Sequence, residues 1–122
     1  MIRLDPRSAV APFDQIRGQI ADQIRSGSLP GGQRLPAIRQ LAADLRVAPG
    51  TVAKAYAALE QEDLIETSRT RGTRVAHGRT HSAAVQAAAR SYVAAVTAPA
   101  HGLDLEQALG AVRAAWGGEQ LG

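Results

Sequence analysis

Between residues 12 and 76, prolines and glycines cut the apolar pattern into short pieces, which confines this stretch to a small domain of brief helices closed by a hairpin. Phe13, Ile16, Ile20 and Ile24 recur at intervals of three and four, one face of a helix that opens near Pro12 and stops before Gly27. Leu29-Pro30-Gly31-Gly32 then forces a turn. A short second helix follows Pro36, with Ile38, Leu41, Ala42 and Leu45 on one stripe. After a break at Arg46-Val47-Ala48, a third helix opens at Pro49, whose fixed φ suits a first helical turn. Its inner stripe reads Val52, Ala55, Tyr56 and Leu59. Two extended segments, 64–68 and 72–76, flank the tight basic tip Arg69-Thr70-Arg71, with Gly72 free to take the positive φ that a hairpin wants. Ile2-Arg3-Leu4 alternates and is expected to add an edge strand.

Three helices followed by a hairpin is the order of a winged helix-turn-helix, so the expected fold class is α+β, mainly α, with that domain spanning residues 1–76. Residues 77–81 read as a polar linker. From Ser82 the chain turns alanine-rich, a strong helix signal. Val85, Ala89, Tyr92, Val93 and Val96 form a stripe that ends at Thr97-Ala98-Pro99. A last helix starts at Asp104, whose carboxylate can cap the backbone, with Gln107 placed three residues on as in a capping box, and Gly117-Gly118 is expected to end it. Leu105, Ala108, Leu109, Val112 and Trp116 share its inner face. Two helices cannot bury both stripes by themselves, and they are too few to enclose a small-molecule pocket. The expected use of residues 82–122 is therefore pairing with the same helices of a second chain, with a brace within one chain as the alternative.

Charge narrows the function. Of 122 residues, 14 are basic and 11 acidic, a net charge of +3. Residues 1–76 carry 11 basic against 8 acidic groups, and the remainder carries 3 of each, so a polyanion would dock on the front of the chain. With one Phe, one Trp and two Tyr, few rings are available for stacking single-stranded bases. The absence of cysteine removes disulfides, thiolate zinc sites and cysteine nucleophiles. No apolar run reaches the length of a signal peptide core or a membrane span, which makes the cytoplasm the expected compartment.

A helix of about twelve residues fits the DNA major groove, and its first turn meets the bases. With the third helix's apolar stripe committed to the core, Gly50, Thr51 and Lys54 face outward. Thr51 can donate to a phosphate or meet a thymine methyl, and its bland alternative is a helix cap. Lys54 supplies charge, and the unpaired amides after Pro49 suit a phosphate. Arg39, on the polar side of the second helix, can fork onto guanine or clamp a phosphate. Arg46 lies in the turn between the two helices. Arg69, Arg71 and Arg74 crowd the hairpin, and three cations around a tight turn repel one another, which suggests a site for anions with Arg71 entering the minor groove.

Taken in order, Pro12-Phe13-Asp14-Gln15-Ile16, Gly27-Ser28-Leu29-Pro30-Gly31, the run from Leu35 to Ala42, Thr51-Val52-Ala53-Lys54-Ala55-Tyr56 with Leu59-Glu60, Leu64-Ile65, and Arg71-Gly72-Thr73-Arg74-Val75 resemble the DNA-binding domain of the GntR family of bacterial transcription regulators. The run Val47–Tyr56 and the short tail look most like the YtrA subfamily. That resemblance implies a homodimeric repressor or activator, dimerised through two C-terminal helices and often acting on genes for ABC-type transporters. On that reading Arg39, Arg46, Gly50, Thr51, Lys54, Arg69, Arg71 and Gly72 contact an inverted-repeat operator. Val85, Ala89, Tyr92, Val93, Val96, Leu105, Leu109, Val112 and Trp116 form the dimer contact. No cofactor and no metal are implied, and no small-molecule effector is specified. The chain departs from the family in having Ala37 for a usual Ser, Arg46 and Asp63 for usual glycines, Thr70 at the wing tip, and Pro49 and Ala53 where many branches carry Arg.

Rival classes find less support. No Gly-rich phosphate loop or G-x-S-x-G elbow is present, and Glu60, Glu62, Asp63 and Glu66 read as a solvated helix end, so no enzyme is expected. His77, His81 and His101 lack an accompanying thiol or carboxylate and read as surface histidines. A winged helix serving as a protein-interaction module is the runner-up.

Overall fold

α1 (Pro12–Ser26) begins with a proline at its first position and stops where Gly27 takes a left-handed φ of 86° and returns its N–H to the Ile24 carbonyl. Its stripe buries Ile16, Ile20, Ala21 and Ile24. α2 (Ile38–Leu45) buries Leu41 and Ala42, and α3 (Pro49–Gln61) buries Val52, Ala55, Tyr56 and Leu59. α3 packs against both α1 and α2 and touches β1 (Ile65–Ser68), which pairs antiparallel with β2 (Gly72–Val75) in the register Ile65↔Val75 and Ser68↔Gly72. Leu29, Leu35, Leu64, Ile65 and Val75 complete the core. Each fully buried Ile, Leu or Val in it contributes about 1.5–3 kcal/mol relative to exposure.

This is a computed structural model describing residues 2–121. The order of elements runs α1-α2-α3-β1-β2, then α4 (Ala83–Thr97) and α5 (Leu105–Leu121). The chain divides into two compact units, residues 1–81 and 82–122. Among the described residues, no helix is long and apolar enough to cross a membrane.

Two expected elements differ. Residues 2–4 form no strand: the Gln19 amide takes the Arg3 N–H at 2.9 Å and donates to the Arg3 carbonyl at 2.7 Å. A side chain thus satisfies backbone that would otherwise need a neighbouring strand. The extra sheet partner comes instead from the segment after the Gly31-Gly32 turn. Gly32 N–H donates to the Val75 carbonyl at 2.7 Å, Val75 N–H to Gln33 at 2.9 Å, and Leu35 N–H to Thr73 at 2.8 Å, with Arg34 bridged to Arg74. The glycine pair 117–118 does not end α5, which runs to Leu121. Glycine weakens a helix interior by only about 1 kcal/mol relative to alanine, and no proline follows to force a stop.

Two non-glycine residues sit in the left-handed region, Arg46 at φ 57° and Asp63 at φ 60°. Each closes a helix. The Arg46 N–H bonds the Ala42 and Ala43 carbonyls, and beyond Asp63 the Leu64 N–H returns to Leu59 at 3.0 Å.

In the second unit, Ser82 caps α4 by accepting from the Val85 N–H at 3.2 Å. Asp104 and Gln107 form the reciprocal capping box of α5, at 2.9 and 3.0 Å. The Tyr92 hydroxyl donates to the Ala108 carbonyl at 2.6 Å and ties the two helices together. α4 has no buried residue, and in α5 only Ala108 is buried among the described side chains.

Candidate nucleic-acid interface

The helix-turn-helix is set by a buried bond. The Tyr56 hydroxyl on α3 donates to the Pro36 carbonyl, just ahead of α2, at 2.7 Å. Burial pushes the Tyr56 phenol from 10.0 up to about 12, so it stays a neutral donor. With one face of α3 fixed in this way, Gly50 and Lys54 are exposed and Thr51 is half-buried. The cap position of α3 is Ala48, with no side-chain cap, so Thr51 is not the cap. A Cβ built on Gly50 would meet nothing within 4 Å, so its backbone is open to close approach. The Lys54 ammonium lies 4.0 Å from the centroid of the Phe13 ring, a cation–π contact that holds it at the α1 side of α3. Phe13 is consequently half-buried beneath a charge rather than in the core.

The wing is shaped by polar bonds to its own backbone. Ser68 Oγ accepts from the Thr70 and Arg71 amides, both at 3.3 Å, which tightens the tip. Gly72 takes φ 72°, and a Cβ there would come within 3.1 Å of the Arg34 guanidinium. Arg74, grouped by sequence with the tip cations, is committed elsewhere: its Nε donates to the Arg71 carbonyl at 3.1 Å and its Nη1 to Gly32 at 2.9 Å. It is a structural clamp between the wing and the 32–35 segment. Arg69 and Arg71 are exposed at the tip.

Ion pairing separates the faces. Among the described residues, the ion pairs join Arg17 to Asp14 and Glu62, and Arg25 to Glu62. Hydrogen bonding to Asp14 raises the Arg17 pKa. Arg39, Arg46, Arg69 and Arg71 take part in none of these pairs and are exposed, so their charge is available to a ligand. A groove of about 310 Å³ between the wing and the start of α2 brings together Arg39 and Gly72, along with Arg34, Leu35, Ala37, Ile38 and Thr73. Arg46, Gly50, Thr51 and Lys54 belong instead to the turn and the first two turns of α3, and Arg69 and Arg71 to the wing tip.

Residues 12–75 match the family of bacterial regulatory proteins described as the gntR family. The chain belongs to the GntR family. Among similar proteins, the HTH-type transcriptional regulator Rv1152 of Mycobacterium tuberculosis is 44% identical over 92 residues, covering 75% of this chain and 76% of that protein. The HTH-type transcriptional repressor YtrA of Bacillus subtilis is 44% identical over 73 residues, covering 60% of this chain and 56% of the repressor. The solved structure of YtrA from Sulfolobus acidocaldarius, a GntR-family transcription factor, is 33% identical with a TM-score of 0.59, over 78% of this chain and 97% of that one. The DNA-binding domain of AraR in complex with operator ORX1 is 25% identical with a TM-score of 0.54, over 62% of this chain and 93% of that one. The chain is a YtrA-like GntR regulator with a winged helix-turn-helix.

Sequence reasoning missed Arg34. Its signal lay beside Leu35, which Pro36 holds extended, because an extended segment beside a hairpin is a ready third strand.

Proposed function

We propose that this GntR regulator acts as a homodimeric, sequence-specific repressor that binds an inverted-repeat operator in double-stranded DNA. The observation that carries the reading is the distribution of charge. Four exposed arginines, Arg39, Arg46, Arg69 and Arg71, lie on the helix-turn-helix and wing outside the ion pairs of α1 and α3. α3 supplies the helix for the major groove, with Gly50, Thr51 and Lys54 toward the backbone and bases, and Arg71 beside Gly72 reaches for the minor groove. The repressor assignment draws on the relative that carries that name.

The tail supports dimerisation. Val85, Val93, Leu105 and Trp116 are 50–72% exposed, and Leu109 and Val112 are also exposed. So much apolar surface on two helices calls for a partner, and a second copy closes the arrangement by twofold symmetry. Ala89, Tyr92 and Val96 extend the same face of α4. One winged helix reads only a few base pairs, and two related by a dyad double the read.

Fluorescence anisotropy with a labelled duplex, repeated from 50 to 300 mM salt, tests the electrostatic core of this reading. The expected result is tight binding at low salt with affinity falling steeply as salt rises. A flat salt profile, or no binding in dilute buffer, contradicts it.

A further inference from the structure

Arg34 stands outside the residues assigned above, yet three observations converge on it. Its backbone is bridged to Arg74 of β2, and the neighbouring Leu35 N–H bonds Thr73, so its Cα is fixed to the wing sheet. Its guanidinium lies against Gly72, with Nε 3.1 Å and Nη2 3.2 Å from where a Cβ would be. It is exposed, belongs to none of the ion pairs among the described residues, and lines the same groove as Arg39. Two guanidinium groups share one concave wall with no carboxylate among the lining residues, an arrangement suited to a bound anion.

We propose that the groove between the wing and α2 is a phosphodiester seat, with Arg34 gripping one DNA backbone phosphate from the wing side and Arg39 facing it from the helix side. The assignment rests on the DNA-binding reading and deepens it. The groove lies between the start of α2, the helix ahead of the one assigned to the major groove, and the wing that reaches for the minor groove, so a backbone strand running from one groove to the other passes across it. A guanidinium packed on the glycine of the wing turn also gives that phosphate a fixed distance from the tip. Arg34 therefore sets affinity and wing register, and it reads no base.

The test compares the wild-type chain with Arg34→Ala and Arg34→Lys. Thermal melting of each confirms folding, and anisotropy titrations use both a selected operator duplex and a random-sequence duplex across a salt series. For Arg34→Ala we expect affinity to fall about tenfold on both duplexes alike, and the slope of log affinity against log salt to lessen by about 0.9, the loss of one phosphate contact. Arg34→Lys keeps most of the slope, because the charge remains. If the wild type binds with steep salt dependence and Arg34→Ala matches it in affinity and slope, the phosphate seat is wrong while the regulatory reading stands. A loss confined to the operator duplex makes Arg34 a base reader and also overturns the proposal. If the wild type itself ignores every duplex, both readings fall.

Discussion

The hydroxyl of Tyr56 donates to the carbonyl of Pro36 at 2.7 Å, and this bond spans the helix-turn-helix from the middle of α3 to a point two residues ahead of α2. Tyr56 is buried, with 4% of its surface exposed, and Pro36 is half-buried, so water replaces the lost bond only in part. Tyr56→Phe should lower stability by about 1–2 kcal/mol in denaturant unfolding, with a weaker grip on DNA as the angle between α2 and α3 relaxes. Unchanged stability would show that the bond contributes nothing net.

The same tyrosine predicts an alkaline signature. Its folded-state pKa is raised to about 12, from 10.0 for the exposed phenol. Below pH 10 both states hold the proton and the contribution is intact. Between pH 10 and about 12 the unfolded chain gives up its proton while the folded chain keeps it, so stability falls as pH rises. The stability advantage of wild type over Tyr56→Phe should therefore diminish steadily across that window. A constant difference across the window would contradict the buried, neutral phenol.

Arg46 separates stability from binding. Its left-handed φ of 57° costs a non-glycine residue about 1 kcal/mol, so Arg46→Gly should raise stability by about 0.5–1 kcal/mol. The same change removes an exposed cation from the turn between α2 and α3 and should weaken duplex binding. Melting and anisotropy on one sample read both signs, and a variant that is stabilised yet binds as before removes Arg46 from the interface.

Arg39→Ala and Arg71→Ala should each weaken operator binding by about 1–3 kcal/mol while leaving the melting temperature unchanged, since neither side chain supports the core. Unaltered affinity in both variants would strike these residues from the interface.

Much of this arrangement was legible in the sequence because prolines and glycines act locally. Pro12, Gly27, Pro36 and Pro49 mark helix boundaries that the structure reproduces, and the stripes between them became the core. What escaped was settled by partners distant in sequence. Gln19 captured the backbone of Arg3, so the expected edge strand never formed, and the 32–35 segment took its place beside β2. Lys54 and Arg74 show the same limit at the site: both are cations at DNA-facing positions by spacing, but one rests on Phe13 and the other clamps Gly32. Spacing places a charge on a face without revealing which neighbour claims it.

In the tail, Val93→Glu combined with Leu109→Glu should convert a dimer into a monomer in analytical ultracentrifugation. Both residues are exposed in one chain, Val93 more than Leu109, and a melting curve of the double variant checks that its fold is kept. A double variant that sediments like the wild type would place the self-association surface elsewhere.

Selection of bound sequences from a random duplex pool by the full chain tests the central claim most directly. A dimer presenting two winged helices to twofold-related DNA predicts enrichment of an inverted repeat with half-site centres about one helical turn, roughly 10 base pairs, apart. Enrichment of a single unrepeated half-site, or of no sequence at all, would contradict it.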